Sequence, residues 1–513
     1  MASFYIPLTG LNADSTALNT IANDLSNMNT TGFKSKSVNF SDLFYQQIGE
    51  AGSGDPIQRG SGTQVSNIET DFSNGSPNST GVDTNVALQG NGFFVVGSGG
   101  NNLLTRDGDF SLDQNGNLIT ANGLSVMGFP AANGVVNTNA PLAAIHIPVG
   151  KVEPPSATTS FGMTATLNSS ASVGDSFSGQ VQVYDSLGNA YQANVTYTKT
   201  GTNTWSYAIS LPDTLQASTT TAGGVNTVTY NFSSSGGTPT TVDPATNLTI
   251  TGPNAGGVST TITAPTVTPG ESIVAYANDL RTALNAAGIT ATVSSAGGQL
   301  VINGAGVTTS GSVIQDAVPS AAASGSLVFN SNGNLVSPSA NVAGITFSGL
   351  SDGASNLNMT WNLFGANNTS TLTQVAQTST VSGTTSGTTQ NGYASGNYSG
   401  FTIGSDGTVT ATFNNGQKLN VGQLALGNVV NLQGLEDLGN GDYATTLASG
   451  TATIGVSGTS GLGAMQGGAL EASNVNISAE FSQLIIAQRA FEANSKAVTT
   501  FDTVTQETIN MIH

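Results

Sequence analysis

The chain has 513 residues, with 29 acidic and 10 basic side chains and a formal net charge of −19. That imbalance disfavours nucleic acid and anionic membrane as partners, because both need Lys and Arg to replace counterions. There is no cysteine, which excludes disulfides, zinc–thiolate sites and thiol catalysis. Charged residues are only 8% of the chain and polarity comes from Ser, Thr, Asn and 65 glycines, so this is not an acidic disordered polymer.

The N-terminus, Met1 to Leu8, lacks a basic region followed by a continuous apolar stretch, so no Sec signal peptide is expected. No run approaches eighteen apolar residues, so no membrane-spanning helix is expected. A first helix is predicted from about residue 6 to 28. Leu11, Leu18 and Leu25 recur every seven residues in it, with Ile21 and Met28 as a second row, and such a stripe needs a partner. Gly32 fits a left-handed cap beyond its end. Residues 33–75, with small apolar clusters and a glycine-rich stretch from Gly49 to Gly62, read as a long, locally ordered linker.

From about Ser76 the pattern turns to β. Val86-Ala87-Leu88 and Phe93-Phe94-Val95-Val96 are strand-like, and Asn115-Gly116 between two strands supplies a tight hairpin turn. The device returns at Gly188-Asn189, Asn332-Gly333, Asp406-Gly407 and Asn415-Gly416. Pro154-Pro155 marks a boundary, and residues 177–211 form a meander of alternating strands. Residues 213–324 differ: Ile273, Tyr276, Ala277, Leu280 and Leu284 make a helical face ended by Gly288. With the strands on either side this is a βαββ unit that reads as an inserted domain. Strands resume at Leu327 and run to about Ile454. The glycine-rich 455–468 reads as a second hinge before a long helix from about 476 to 511. There Ile477, Leu484, Phe491, Val498, Thr505 and Ile512 keep the heptad, and Phe481 and Phe501 join the packing set.

Both terminal helices are intrinsically weak: Gly10 and the β-branched residues 498–508 each cost a few tenths of a kcal/mol to about 1 kcal/mol against Ala. Burying each large apolar side chain returns about 1.5–3 kcal/mol. Order is therefore expected only when the stripes are covered: both ends are expected to be loose in the monomer and helical in a polymer, with a private two-helix hairpin as the alternative. Small uncharged outer faces favour packing among many copies.

Candidate chemistry is thin. Asp113 to Asn117 resembles the start of a calcium loop, but Leu118 and Leu124 stand where Gly and Glu are needed, and a hairpin turn explains it. Asp107 and Asp109 flank Gly108, where carboxylates cap backbone N–H groups more often than they catalyse. His146 and His513 are the only histidines, leaving no material for a triad or metal cluster. Tyr184, Tyr191, Tyr197, Trp205 and Tyr207 read as core and cross-strand pairs before they read as a sugar platform. No catalytic residue, cofactor or metal is expected.

The stretches Gly10-Leu-Asn-Ala, Ile21-Ala-Asn-Asp-Leu-Ser-Asn and Thr31-Gly-Phe-Lys resemble the N-terminal signature of the bacterial flagellar axial proteins. Gly468-Ala-Leu-Glu-Ala-Ser-Asn and Ala487-Gln-Arg-Ala-Phe-Glu-Ala-Asn resemble their C-terminal signature. Gly90-Asn-Gly-Phe-Phe and Leu104-Thr-Arg-Asp-Gly-Asp-Phe resemble their first β domain. The signature positions are Asn23, Asn27, Gly32, Phe33, Lys34, Arg106, Gly108, Gln488 and Arg489. Val183-Tyr-Asp-Ser-Leu-Gly-Asn and Gln390-Asn-Gly-Tyr-Ala-Ser-Gly, with the long centre, are similar to the hook members of that family.

The resemblance implies a mixed, mainly β fold. Terminal helices (1–32 and 470–513) would form a coiled-coil-like inner domain, with nested β domains between them (76–150 with 385–469; 151–212 with 325–384) and 213–324 as an outer insertion. It implies a homopolymer that forms a curved tubular universal joint and transmits torque. It also implies rod, hook cap and hook–filament junction proteins as partners, and passage through the flagellar type III export apparatus to an extracellular position, without membrane insertion. A distal rod or junction protein is the near rival reading; a secreted β-rich adhesin is the distant one.

Overall fold

The structure is a computed structural model. It describes residues 5–50, 56–98, 100–215, 217–232, 234–235, 238–239, 241–243, 245–268, 270–316, 318–319, 324–365, 369–377 and 381–512. His513 lies outside the described residues. The chain divides into two compact units, Met1–Lys151 with Asn397–His513, and Val152–Gly396.

The first unit holds helix α1 (Tyr5–Ser26), the long terminal helix (Ile477–Ile512) and a β body between them. At the centre of the body lies the strand Phe93–Ser98. It pairs on one side with Asn101–Thr105 and on the other with Ser125–Ala132, which pairs in turn with Lys418–Leu424. Its unbroken run of large apolar residues follows from burial on both faces. Phe94 and Val96 enter one core with Leu118, Ile145 and Phe401, while Phe93 and Val95 enter another with Leu104, Phe129 and Tyr443.

Residues 33–75 depart from the linker reading. Strand Lys36–Asp42 pairs antiparallel with Thr63–Thr70, and Gln46–Glu50 pairs with Pro56–Arg59. Residues 51–55 lie outside the described residues. Most side chains of this ribbon are exposed or half-buried, so no alternation of apolar and polar residues announces it. The stretch 455–468 also departs from its reading as a hinge. Ala464–Gly467 pairs with Val86–Gln89, and a Cβ on Gly463 would collide with the Gln89 carbonyl oxygen. Glycine there permits close packing rather than freedom.

The second unit holds two cores. The meander Ser176–Tyr184, Ala190–Gly201 and Thr204–Ser210 continues into Ser324–Phe329. It covers a core with Tyr197, Trp205, Tyr207 and Trp361, while Tyr184 and Tyr191 of the aromatic series stay half-buried at its margin. Trp205 Nε1 donates to Gln374 Oε1 at 3.0 Å. Strand Gly383–Gln390 pairs with Ser160–Asn168 in this unit, which moves the start of the returning segment from 385 to 397. The second core surrounds α2 (Ile273–Ala286), whose Ile273, Tyr276, Ala277, Leu280 and Leu284 are buried among the strands of 215–313. Ser272 caps it by accepting from Ala275 N–H at 3.2 Å, and Gly288 takes φ +67° beyond its end.

One turn recurs in both units. Asp113 Oδ1 accepts from the N–H groups of Asn115 and Asn117, and Gly116 takes φ +83°. Asp185, Asn254 and Asn330 do the same with glycines at 188, 257 and 333. The Asp113 carboxylate is committed to its own turn, which places the hairpin rather than a calcium loop there.

Candidate assembly interface

The terminal helix, α3, packs against α1. The pairing is antiparallel and steps by heptads. Gly10 lies against Asn494, Ala17 and Ala487 share one small cluster, and Asp24 lies within electrostatic range of Glu480. Pro7, Gly10, Ala13, Ala17, Ile21 and Asp24 are the buried residues of α1. The seam is thus a row of small residues that lets two backbones approach closely. Asn494 Nδ2 donates to Asp14 Oδ2 at 2.8 Å across it. Thr63 N–H from the β-ribbon donates to Thr9 Oγ1 at 3.2 Å, tying the ribbon to α1.

The leucine heptad is not this seam. Leu11, Leu18 and Leu25 stand one position to its side and stay half-buried; Ile21 is inside, and Met28 is exposed past the helix end. On α3, Leu484, Val498 and Phe501 are half-buried, while Ile477, Phe481 and Phe491 are exposed. Ile512 ends α3, and its side chain lies outside the described residues. Phe481 is 48% exposed and Ile486 67%. A groove of about 340 Å³ opens beside Ile486, lined by Ala17, Ile21, Val38, Phe40, Ile486 and Ala487. With 36 residues against the 22 of α1, α3 runs on past Tyr5 and presents Val504, Ile509 and Met511. Contiguous apolar rows of this kind mark contact surfaces. The two helices therefore zip to each other through small residues, with Ile21 inside and Leu18 and Leu484 packed at the edge, and turn Ile477, Phe481, Ile486 and Phe491 outward.

At the seam's lower end Asp24 is fully buried and its Oδ2 accepts from Lys36 N–H at 2.7 Å. Asp24 Oδ1 and Glu480 Oε2 have no hydrogen-bond partner among the described residues. Burial pushes both carboxyls above the usual carboxylate range. The Lys36 contacts offset part of the shift at Asp24, and the charge of Asp24 adds to it at Glu480.

The N-terminal and first-β signature residues meet at a second place. Asn27 Nδ2 donates to the Asn23 carbonyl at 2.9 Å and closes α1. Gly32 takes φ +65° where a Cβ would stand 2.6 Å from the Arg106 carbonyl oxygen. A Cβ on Gly108 would collide with the Val86 carbonyl. Phe33 is half-buried, and its carbonyl accepts from Asn474 N–H at 3.4 Å. Lys34 Nζ sits 2.6 Å from Glu471 Oε1, and Arg106 Nη1 3.2 Å from Glu471 Oε2. Lys34 Nζ also donates to the Ser73 carbonyl at 2.7 Å, and Arg106 Nη2 to the Gly90 carbonyl at 2.8 Å. Burial lowers both cations' affinity for their protons, and Glu471 opposes that shift. Glu471 was not singled out from sequence, although two buried cations require such a carboxylate. Gln488 and Arg489 belong to neither place and are exposed on α3.

Among the described residues no three His, Asp or Glu side chains gather as metal ligands, and no helix is long and apolar enough to cross a membrane.

Four family models match in chain order. They are Flagella basal body rod protein (4–34), Flagellar hook protein FlgE/F/G D1 domain (87–166), Flagellar basal body protein FlaE D2 domain (157–305) and Flagellar basal body rod FlgEFG protein C-terminal (466–511). The D2 match runs across most of the segment read as an insertion. Flagellar hook protein FlgE of Salmonella typhimurium is 30% identical over 99% of this chain and 100% of its own length. That of Treponema pallidum is 28% identical over 100% and 99%. The crystal structure of Helicobacter pylori flagellar hook protein FlgE2 gives a TM-score of 0.36 at 13% identity, covering 76% of this chain and 98% of that one. Full-length similarity, with both signature ends in place, shows that this chain belongs to the flagellar hook protein FlgE family.

Proposed function

We propose that this chain polymerises into the curved tube of a bacterial flagellar hook and acts there as a structural subunit, not an enzyme. The observation that carries the reading is the outward row Ile477, Phe481 and Phe491 on a helix whose inner face is already satisfied by α1. The terminal segments (1–32 and 470–513) are assigned to a continuous helical layer made by many copies. The large apolar residues of α1 and α3 would pack between copies in that layer.

Such a layer resists twist, because helices packed through apolar rows slide only by breaking whole contacts. The β-rich remainder meets neighbouring copies through a polar, weakly charged surface. Single exposed polar contacts are worth little, so they exchange as rows of subunits lengthen and shorten round a bend. Bending without twisting is what a torque-transmitting joint needs. Rod, cap and junction proteins are the partners this role requires. Export through a type III channel to an extracellular position accords with a chain that has no disulfide to form.

Electron microscopy of the full chain beside a form lacking residues 1–30 and 475–513 tests this. Curved tubes from the full chain alone support it; globules from both overturn it.

A further inference from the structure

Glu471 completes a site built from distant parts of the chain. Its carboxylate is the only one within ion-pair distance of Lys34 or Arg106 among the described residues. All three side chains are at most 3% exposed. Its Oε1 also accepts from Gly75 N–H at 2.9 Å, and its carbonyl from Gly32 N–H at 2.8 Å. Arg106 lies over the Phe93 ring, 5.3 Å from its centroid, so the network rests on the central strand of the β body.

The segment that carries Glu471 is itself a pair of strands. Ala464–Gly467 closes on Val86–Gln89, and Ala469–Glu471 on Pro77–Ser79. Met465 and Ala469 are buried. Without this segment two strand edges are open, a core position is empty, and two buried cations have no counter-charge. Buried charges left unpaired are strongly destabilising, and unpaired backbone in a core is too.

We propose that residues 464–471 are the closing ligand of this β body. The edges 77–79 and 86–89, with Lys34 and Arg106 at one end, form an acceptor site for an extended peptide bearing a carboxylate, and the body does not fold until that peptide docks. A chain that emerges from its N-terminus stays open until its last tenth is available. Folding of the body is thereby tied to arrival of the segment that leads into α3. This holds whether or not the chain polymerises.

The test uses the full chain with a protease site placed in the exposed turn at Thr459–Gly461. In the uncut chain, Glu471→Gln should raise amide exchange of Phe93–Ser98 at least tenfold and leave Ser160–Asn168 unchanged. After cutting and removal of the C-terminal fragment, Phe93–Ser98 should lose protection while Ser160–Asn168 keeps it. A synthetic peptide of residues 462–476 should restore protection, and the same peptide with Glu471→Gln should do so at least tenfold less tightly. Protection that survives removal of the fragment, failure of the native peptide to restore it, or equal restoration by both peptides would each overturn the proposal.

Discussion

Gly10 and Asn494 touch across the seam between the two terminal helices: a Cβ on Gly10 would stand 2.6 Å from Asn494 Nδ2. The amide is held there by its 2.8 Å bond to Asp14. Gly10→Ala should be nearly neutral, because a rotated Asn494 makes room and Ala gains about 1 kcal/mol of helix propensity. Gly10→Leu should force the helices apart at a cost of about 1–3 kcal/mol. Amide exchange in α1 measures both, and equal exchange in the Leu variant and the parent would count against the close seam.

The outward rows give the opposite contrast. Phe481 is exposed, so Phe481→Asp should change the stability of the single chain by no more than about 0.5 kcal/mol. Assembly should nevertheless stop, since a carboxylate would be buried between copies. Leu484 already packs with Ala17, Ile21 and Ala487. Leu484→Asp should therefore damage both the helix pair and assembly. Thermal melts beside sedimentation of polymer separate the two effects.

These two residues also show what the sequence made legible. The heptad of Leu11, Leu18 and Leu25 correctly marks a helix that needs covering. The seam within the chain runs one position aside from it, because large residues carry the visible pattern while small ones permit the close approach. The turns at Asn115-Gly116 and Gly188-Asn189 were legible because positive φ demands a particular residue there. The ribbon at 36–70 was not, because Val38-Asn39-Phe40 is too short an alternation to announce a strand. Lys34 and Arg106 stood out in their motifs, whereas their counter-ion Glu471 lies more than 360 positions away in the chain, a pairing only the fold can reveal.

Asp24 and Glu480 make the helix pair sensitive to pH. Each carboxyl is raised in the folded state, chiefly by burial. Their contribution to stability is therefore fully present below the ordinary carboxylate range and is lost as pH rises through the folded values. Asp24→Asn should slow α1 amide exchange at pH 7 and leave it unchanged near pH 3. Exchange that slows equally at both would show that ionisation is not the cause.

Asp107 adds a second dependence in the β body. Burial first, and the neighbouring charges of Asp109 and Asp442, push its carboxyl from 3.8 up to about 6. The folded state holds this proton more tightly, so stability should fall as pH rises between those two values, by at most about 3 kcal/mol. Urea unfolding across that range should show the decline, and Asp107→Asn, which keeps an oxygen for Asp109 N–H, should flatten it.

The central claim is that the outward apolar rows, not the helix pair itself, build the polymer. Purified full-length chain and its Phe481→Asp variant, matched in melting temperature, should be imaged side by side under salting-out conditions. The account predicts curved tubes from the parent and only single subunits from the variant. Tubes of normal shape from both would contradict it.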